Sequence, residues 1–543
     1  MSKIVTREQM YMIESEASEL GVSYTDMMEN AGTAICETIT SRFEDITDVN
    51  VILAIGPGNN GGDGLVSARL LAAFGAHVNI VTVIDSDNNV ENFEKAINAG
   101  VEVVQIDLDD NLNVLKDKIA EADVFVDAVF GIGARVPLDD HVVKFFSTVS
   151  DILDHHDILC VAVDCPSGMD CNTGEVDDNV LEADITVTFG AAKIGHFLFP
   201  GADVVGELVL ADIGLPINLP ALEAIDLDLA VDDEILDLLP DRQSNSHKGT
   251  YGTTLVVAGS TNYSGAAYLA AAGAYKMGSG LVTVAIPHEI YPIVASLLPE
   301  ATSVILPSYM GVIAESGAKI VHELLDKVGT LLLGPGLGTE SSTLGFCNNL
   351  FASDKSNNYL GGLGFNVSNN SDDSGGIDLD EWPFVVVDAD GLKLLNEIDK
   401  WYLLLPKNSV LTPHPGEMSV LTGLTIDEIQ SDRVSIAREY SMKWNHVVVL
   451  KGAYTVVANP NGHVMLHPFA TSALASAGTG DVLAGMISGL LAQGMEPYQA
   501  SVLGVFLHGL SAELCMLLYG DSHSIMASDI LAMIPEAITS LKQ

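Results

Sequence analysis

The chain has 543 residues, 48% of them hydrophobic, and 73 Asp and Glu against 24 Lys and Arg give a formal net charge of −49. That length allows two to four domains with separate cores. The acidity, present in both halves, argues against nucleic acid and anionic membrane as partners, since both require cationic surface.

Such charge suits a cell with high internal salt, which screens the repulsion. The first residues, MSKIVTREQMYMIESEASEL, lack the apolar core of a secretory signal, and apolar stretches such as 266–287 are broken by Lys276 and glycines short of a membrane span. A cytoplasmic protein is expected. Cys36, Cys160, Cys165, Cys171, Cys347 and Cys515 include no C-x-x-C pair and read as reduced thiols.

In chain order, five short runs rich in Val and Ile predict strands: VNVILAIG (49–56), AHVNIVTVI (76–84), ADVFVDAVFG (122–131), DILCVAVDCPSG (157–168) and ADITVTFGA (183–191). Helical patterns such as Leu65–Phe74 separate them, so the first part reads as βαβ units on a parallel sheet covered on both faces. Ligands of such sheets bind outside the carboxyl ends of the strands. The loops GPGNNGGDG (56–64), DAVFGIGARVP (127–137) and DCPSG (164–168) should therefore converge.

The first loop admits three readings. Gly56, Gly58 and Gly61 fit the dinucleotide fingerprint, with Asp85 near the place of a ribose-binding acid. Against this, Asp63 would set a carboxylate against a pyrophosphate, and no Lys stands where a Walker loop needs one. Alternatively Asn59, Asn60 and Asp63 only build a turn and cap a helix over 64–74. In the third reading Asn60, Asp127 and Ser167 offer hard oxygen ligands of low total charge, suited to a weakly charged cation.

GPGNNGGDGL, followed by VDAVFGIGARVP, VDCPSGMD and AAKIGHFLFPG, resembles the NAD(P)H-hydrate epimerase family over some 200 residues. The resemblance implies a Rossmann-like three-layer α/β/α sandwich that interconverts the R and S hydrates of NADH and NADPH. It implies that Asn59, Asn60, Gly61, Gly62 and Asp63 contact the hydrate and that Asn60, Asp127 and Ser167 hold K+. Gly131, Ile132, Gly133, Ala134, Arg135, Val136 and Pro137 would cradle the phosphates through backbone N–H groups. Asp164 would reach the substrate and serve as acid/base, with Lys193 as a phosphate or catalytic partner.

Residues 214–246 change to a proline- and acid-rich pattern, and the expected domains are 1–220 and 221–543. Strand signals then resume: TTLVVAGS (253–260), GLVTVAIP (280–287), GTLLLGPGLG (329–338), PFVVVDADGL (383–392), SVLTPHPGE (409–417) and HVVVLKGAYTVVANPNGHVMLH (446–467). Residues 353–381 are Gly-, Ser- and Asn-rich and read as a mobile surface insertion. SAGTGDVLAG (476–485) sets Gly478, Gly480 and Asp481 at the start of an apolar helix, whose free N–H groups make an anion hole. Asp481 beside it could take a hydroxyl proton, or be only a helix cap. Special loops at several strand ends with an anion hole describe a nucleotide-dependent phosphoryl-transfer fold.

The order of LLLGPGLG, VVVDADGL, LTPHPGEMSVLTG, LKGAYTVV and the stretch 247–280 resembles the NAD(P)H-hydrate dehydratase family, over about 300 residues. A ribokinase-like α/β domain is implied. Ala266, Gly338, His414 and Asp481 would contact the hydrate, and Lys451, Gly452, Ala453, Tyr454, Thr455 and Gly480 the nucleotide. Asp481 would be the base, and Asp390 receives no role. Fusion with the epimerase first is typical of prokaryotic members, which use ADP, here with Mg2+. The expected partners are the NADH and NADPH hydrates and ADP, with a homo-oligomer as the expected state. The rival readings are a ribokinase-type small-molecule kinase with a non-catalytic N-terminal domain, and an N-terminal binding or scaffold module.

Overall fold

The computed structural model describes residues 2–84, 88–105, 112–134, 136–351 and 379–542. Asp85, Arg135 and the expected insertion up to residue 378 lie outside the described residues. The chain divides into two units, Met1–Leu229 and Ala230–Gln543.

In the first unit the strands lie in the order Glu102–Val103, His77–Thr82, Asn50–Ile55, Val124–Ala128, Leu159–Val163, Ile185–Phe189 and Glu207–Ala211, all parallel. Val51, Leu53, Phe125, Val126 and Val161 are buried, as apolar strands covered on both faces require. Strand order reverses direction between Asn50–Ile55 and Val124–Ala128, which places a topological switch point there. Helices cover the sheet, among them Arg7–Glu19, with a Thr6–Gln9 capping box, and Tyr24–Thr40, with a Ser23–Asp26 one.

The helix expected from residue 64 or 65 begins earlier, at Asn59, with Gly58 as its N-cap. The glycines there permit close approach rather than a loose loop. A Cβ on Gly61 would lie 2.1 Å from the Gly56 carbonyl oxygen, and one on Gly64 2.6 Å from the Ala128 side chain. The first turn therefore packs directly on the strand ends, and Asn59 to Asp63 are helical residues at the mouth of the sheet.

In the second unit the order is Thr302–Leu306, Leu281–Pro287, Thr253–Val257, Thr330–Leu333, Phe384–Val387, Val410–Leu411, Val447–Leu450, Val456–Ala458 and Val464–Leu466. Pairing is parallel as far as Val447–Leu450 and antiparallel through the last two strands. Helices Ser264–Lys276 and Thr479–Ala492 pack backbone against backbone: a Cβ on Gly485 would lie 2.0 Å from the Ala270 oxygen, and one on Gly489 2.5 Å from the Ala274 oxygen. Both contacts advance together, so the helices run parallel and open at the same end. Pro497–Tyr519 has the length and apolarity of a membrane span, with mean hydropathy 1.7, yet 67% of that window is buried inside the protein, as for a core helix.

Candidate active sites

The loops following three neighbouring strands of the first unit meet around a cavity of about 270 Å³. Gly58, Asn59, Asn60 and Asp63 enter from the first, Val129 to Gly133 from the second, and Asp164 from the third. Phe189 and Lys193 close one side, while Tyr11 and Glu14 arrive from the helix Arg7–Glu19.

Asp164 follows directly on the strand Leu159–Val163 with φ of +65°, a conformation that Asp tolerates better than most side chains. Its backbone is fixed by N–H donation to the Val187 oxygen at 2.7 Å. Its Oδ1 accepts from Lys193 Nζ at 2.5 Å and from Thr188 Oγ1 at 3.0 Å. Lys193 is 1% exposed and also donates to Thr188 Oγ1 at 2.8 Å and to the Phe189 oxygen at 3.2 Å.

His196 locks this turn from below. Its Nδ1 lies 3.2 Å from the Lys193 N–H and accepts from it, so Nε2, 3.1 Å from the Asp164 carbonyl oxygen, is the protonated nitrogen. Burial, reinforced by the Lys193 charge, pushes His196 down to about 3, so it stays neutral.

Two further carboxyl groups share the cavity. Burial, then the Asp164 charge, pushes Glu14 up to about 7. Asp63 stands well above the ordinary carboxylate range through burial first, then Asp164 and Glu14. Three acids thus surround one ammonium.

Asp127 and Ser167 lie behind the Val129–Phe130 wall rather than on the cavity surface. Asp127 accepts from the Ser167 N–H at 2.8 Å, the Ser167 hydroxyl at 2.7 Å and the Val129 N–H at 3.2 Å. Ser167 Oγ in turn accepts from the Phe130 N–H at 2.8 Å. Burial pushes Asp127 up to about 6, and no cationic side chain of the described residues answers its charge. The Asn60 Nδ2, an N–H donor, is buried without a hydrogen-bond partner and calls for an acceptor rather than a cation. Buried oxygen donors and a carboxylate lacking a counter-charge fit a weakly charged cation.

Of the other residues expected at this site, Gly61, Gly62, Ala134, Val136 and Pro137 do not line the cavity. Gly62 packs on Met28, and Ala134 is buried with its N–H donated to the Gly131 oxygen at 3.0 Å. The expected cradle of free N–H groups across 131–137 is therefore corrected at Ala134, whose N–H closes a turn. Gly131, Ile132 and Gly133 do line the cavity, and Arg135 lies outside the described residues. Sequence reasoning missed Tyr11 and Glu14; their spacing of three on an amphipathic helix was the available signal.

In the second unit, Gly478 caps the helix Thr479–Ala492 with φ of +94°, leaving the first-turn N–H groups of Gly480 and Asp481 at the strand ends. A Cβ on Gly480 would lie 3.3 Å from Lys451 Nζ, so an ammonium stands at the helix mouth. Lys451 Nζ pairs with Asp388 Oδ1 at 2.6 Å and faces Glu417 Oε2 at 3.8 Å. Asp388 is 1% exposed and also accepts from Thr412 Oγ1 at 2.7 Å. Burial draws the Lys451 ammonium down, but Asp388 and Glu417 outweigh it and raise it. Burial, then Asp388, pushes Asp481 up to about 7.

His414 caps the helix Pro415–Thr422, its Nδ1 accepting from the Gly416 N–H at 3.0 Å and the Glu417 N–H at 3.3 Å. Its Nε2 lies 3.4 Å from Glu417 Oε1, and burial lowers its proton affinity. The Gly338 N–H donates to Asp390 Oδ2 at 3.0 Å, and Ala266 abuts the same glycine loop, 2.9 Å from where a Cβ on Gly336 would stand. In the loop after Val447–Leu450, Thr455 Oγ1 donates to the Gly452 oxygen at 2.8 Å and the Tyr454 N–H to the Phe469 oxygen at 2.8 Å. Ala453, between them, is exposed. Asp388 and Glu417 were missed: in VVVDADGL and TPHPGE the sequence singled out Asp390 and His414 instead. No group of three or more His, Cys, Asp and Glu that could hold a metal occurs among the described residues.

A family model described as YjeF-related protein N-terminus matches residues 24–195, and one described as NAD(P)H-hydrate dehydratase matches residues 254–536. The bifunctional NAD(P)H-hydrate repair enzyme Nnr of Moorella thermoacetica is 34% identical over 99% of this chain and 97% of its own. That of Thermofilum pendens is 33% identical over 100% of this chain and 97% of its own. A solved structure of the ADP/ATP-dependent NAD(P)H-hydrate dehydratase from Bacillus subtilis, co-crystallised with ATP/Mg2+, is 30% identical, covering 57% of this chain and 97% of that one with a TM-score of 0.45.

Proposed function

The chain belongs to the family of bifunctional NAD(P)H-hydrate repair enzymes, and from that premise we propose how its two units divide the work. The first unit interconverts the R and S hydrates of NADH and NADPH. The second unit dehydrates the S hydrate, with ADP as phosphoryl donor. A stereospecific dehydratase alone would strand half of the damaged pool, so the fusion is chemically coherent.

The observation that carries the epimerase assignment is the buried Lys193–Asp164 pair, whose aspartate follows the strand Leu159–Val163, with Glu14 and Asp63 in the same cavity. Inverting a carbon that bears a hydroxyl and a ring nitrogen is proton traffic, which positioned carboxyl groups perform. Asp164 is the hydrate's acid/base, and Asn59, Asn60 and Asp63 contact its ring. Gly131 to Gly133 receive the phosphate-bearing part. Asn60, Asp127 and Ser167 would hold K+, which when bound supplies the positive charge that Asp127 lacks.

In the second unit Lys451 and the Gly480 amide neutralise the transferring phosphoryl group, and Asp481 takes the proton of the C6 hydroxyl. The hydroxyl oxygen bonds to phosphorus as ADP leaves AMP. Phosphate then departs from C6 and a proton from C5, restoring the double bond. Phosphorylation turns a poor leaving group, hydroxide, into a good one. Lys451 to Thr455 hold the nucleotide, while Ala266, Gly338 and His414 hold the hydrate. Mg2+ would bind through one or two carboxylates together with substrate phosphates.

The test is incubation of mixed NADH hydrates with ADP or ATP, with and without K+, following recovery of NADH absorbance. Complete conversion is expected with ADP. Conversion halting near half would mean an inactive epimerase, and accumulation of a phosphorylated product would mean a small-molecule kinase.

A further inference from the structure

We propose that Glu14 is a second proton-exchanging group of the cavity in the first unit, acting with Asp164 on the two heteroatoms bound to C6 of the hydrate. This rests on the epimerase reading of that cavity. The helix Arg7–Glu19 is anchored by Met10, Ile13 and Ala17, all buried, and turns Tyr11 and Glu14 toward the cavity. Glu14 also borders the adjoining crevice, which it shares with Asn59 and Asp63 of the helix Asn59–Ala73.

The hydrogen-bond inventory divides the labour. An ammonium has three donors, and Lys193 Nζ directs its bonds to Asp164 Oδ1, Thr188 Oγ1 and the Phe189 oxygen. Lys193 is thereby committed to Asp164 and its own turn, with no donor left for Glu14. Glu14 faces Asp164 and Asp63, both acidic, with Tyr11 beside it on its own helix and Lys193 committed elsewhere. Glu14 is consequently the group suited to carry an exchangeable proton at neutral pH, in keeping with its upward shift to about 7.

The step balances without an oxidant or added water. Asp164 takes the proton of the C6 hydroxyl, the C6–O bond becomes a carbonyl, and the C6–N1 electron pair passes to nitrogen. Glu14 gives its proton to N1. The carbonyl carbon then turns its other face, N1 re-adds, Glu14 recovers its proton and Asp164 returns the first one.

The experiment uses the full chain without nucleotide, so that only R-to-S interconversion is read, by chromatography. Glu14→Gln is expected to slow it by about 100-fold, the low end of general acid–base contributions. Wild type is expected to lose rate as pH rises through about 7, where Glu14 gives up its proton, and that loss should vanish in the variant. Dehydration of pure S hydrate with ADP, carried by the other unit, should be unchanged. If Glu14→Gln loses that control activity too, Glu14→Asp carries the test: retained interconversion with a shifted alkaline limb supports the role, and an unshifted limb overturns it. Wild-type rate in Glu14→Gln, or a slower rate with the wild-type pH profile, overturns the proposal while leaving the epimerase reading intact. Failure of wild type itself to interconvert the hydrates overturns both.

Discussion

Lys193 and Asp164 are joined at 2.5 Å inside the first unit, where the lysine side chain is 1% and the aspartate side chain 10% exposed. An ion pair this deep is costly to half-remove, because the remaining charge is left without water or partner. Lys193→Met should therefore lower stability by about 3–5 kcal/mol and abolish R-to-S conversion. Adding Asp164→Asn removes the stranded charge, so the double variant should regain part of the stability and none of the activity. Urea unfolding of the three proteins checks this; a double variant no more stable than Lys193→Met would show that the pair is not what holds this turn.

The glycine at 131 bears on the same carboxylate. A Cβ there would lie 2.7 Å from Asn60 Oδ1 and 3.3 Å from Asp164 Oδ2. Gly131→Ala should displace Asn60 and press Asp164 by a few tenths of an ångström, and since a 1 Å misplacement costs about 100-fold, a loss of up to that size is expected. Epimerisation should fall accordingly while dehydration of S hydrate persists. Equal loss of both activities would mean the substitution damages folding rather than the site.

Much of this arrangement was legible in the sequence because parallel strands announce themselves as short apolar runs and their following loops must share one edge. Asn60, Gly131 and Asp164 are brought together for that reason. The early helix start at Asn59 was hidden, since glycine-rich stretches read as loops; only the contact of Gly61 with Gly56 and of Gly64 with Ala128 shows why glycine is needed in a helix. Glu14 was hidden differently. An acid on an amphipathic helix reads as a solvated face, and nothing local says that this helix reaches the strand ends. In the second unit Asp481 and Gly480 were visible at a helix start, whereas Asp388 becomes notable only when Lys451, 63 positions away, is found against it.

Asp127 supplies a prediction about cations. Its folded value of about 6 lies above the unfolded one of about 3.9. The proton is therefore held more tightly by the folded chain, and this stability, complete below about pH 4, is lost as pH rises through about 6. A bound cation answers the ionised form, so K+ should raise the thermal midpoint more at about pH 8 than at about pH 5, relative to choline chloride at equal ionic strength. Asp127→Asn should erase the difference between the two salts. A K+ effect of the same size in that variant would place the ion elsewhere.

Asp481 should set the pH dependence of dehydration. Burial and Asp388 push it up to about 7, while Lys451 draws it down. As a base it works only when ionised, so the rate with S hydrate and ADP should rise through about pH 7 and level off above it. Asp388→Asn removes a negative neighbour and should move the midpoint down; Lys451→Met removes the positive one and should move it up. Opposite displacements in the two variants require the titrating group to lie between those charges, as Asp481 does. Asp481→Asn should abolish the limb together with most of the rate, by about 100-fold or more. A limb that stays near pH 7 in both charge variants would instead belong to a group outside the Asp388–Lys451 field, and Asp481 would be left as a helix-terminal acid beside the anion hole.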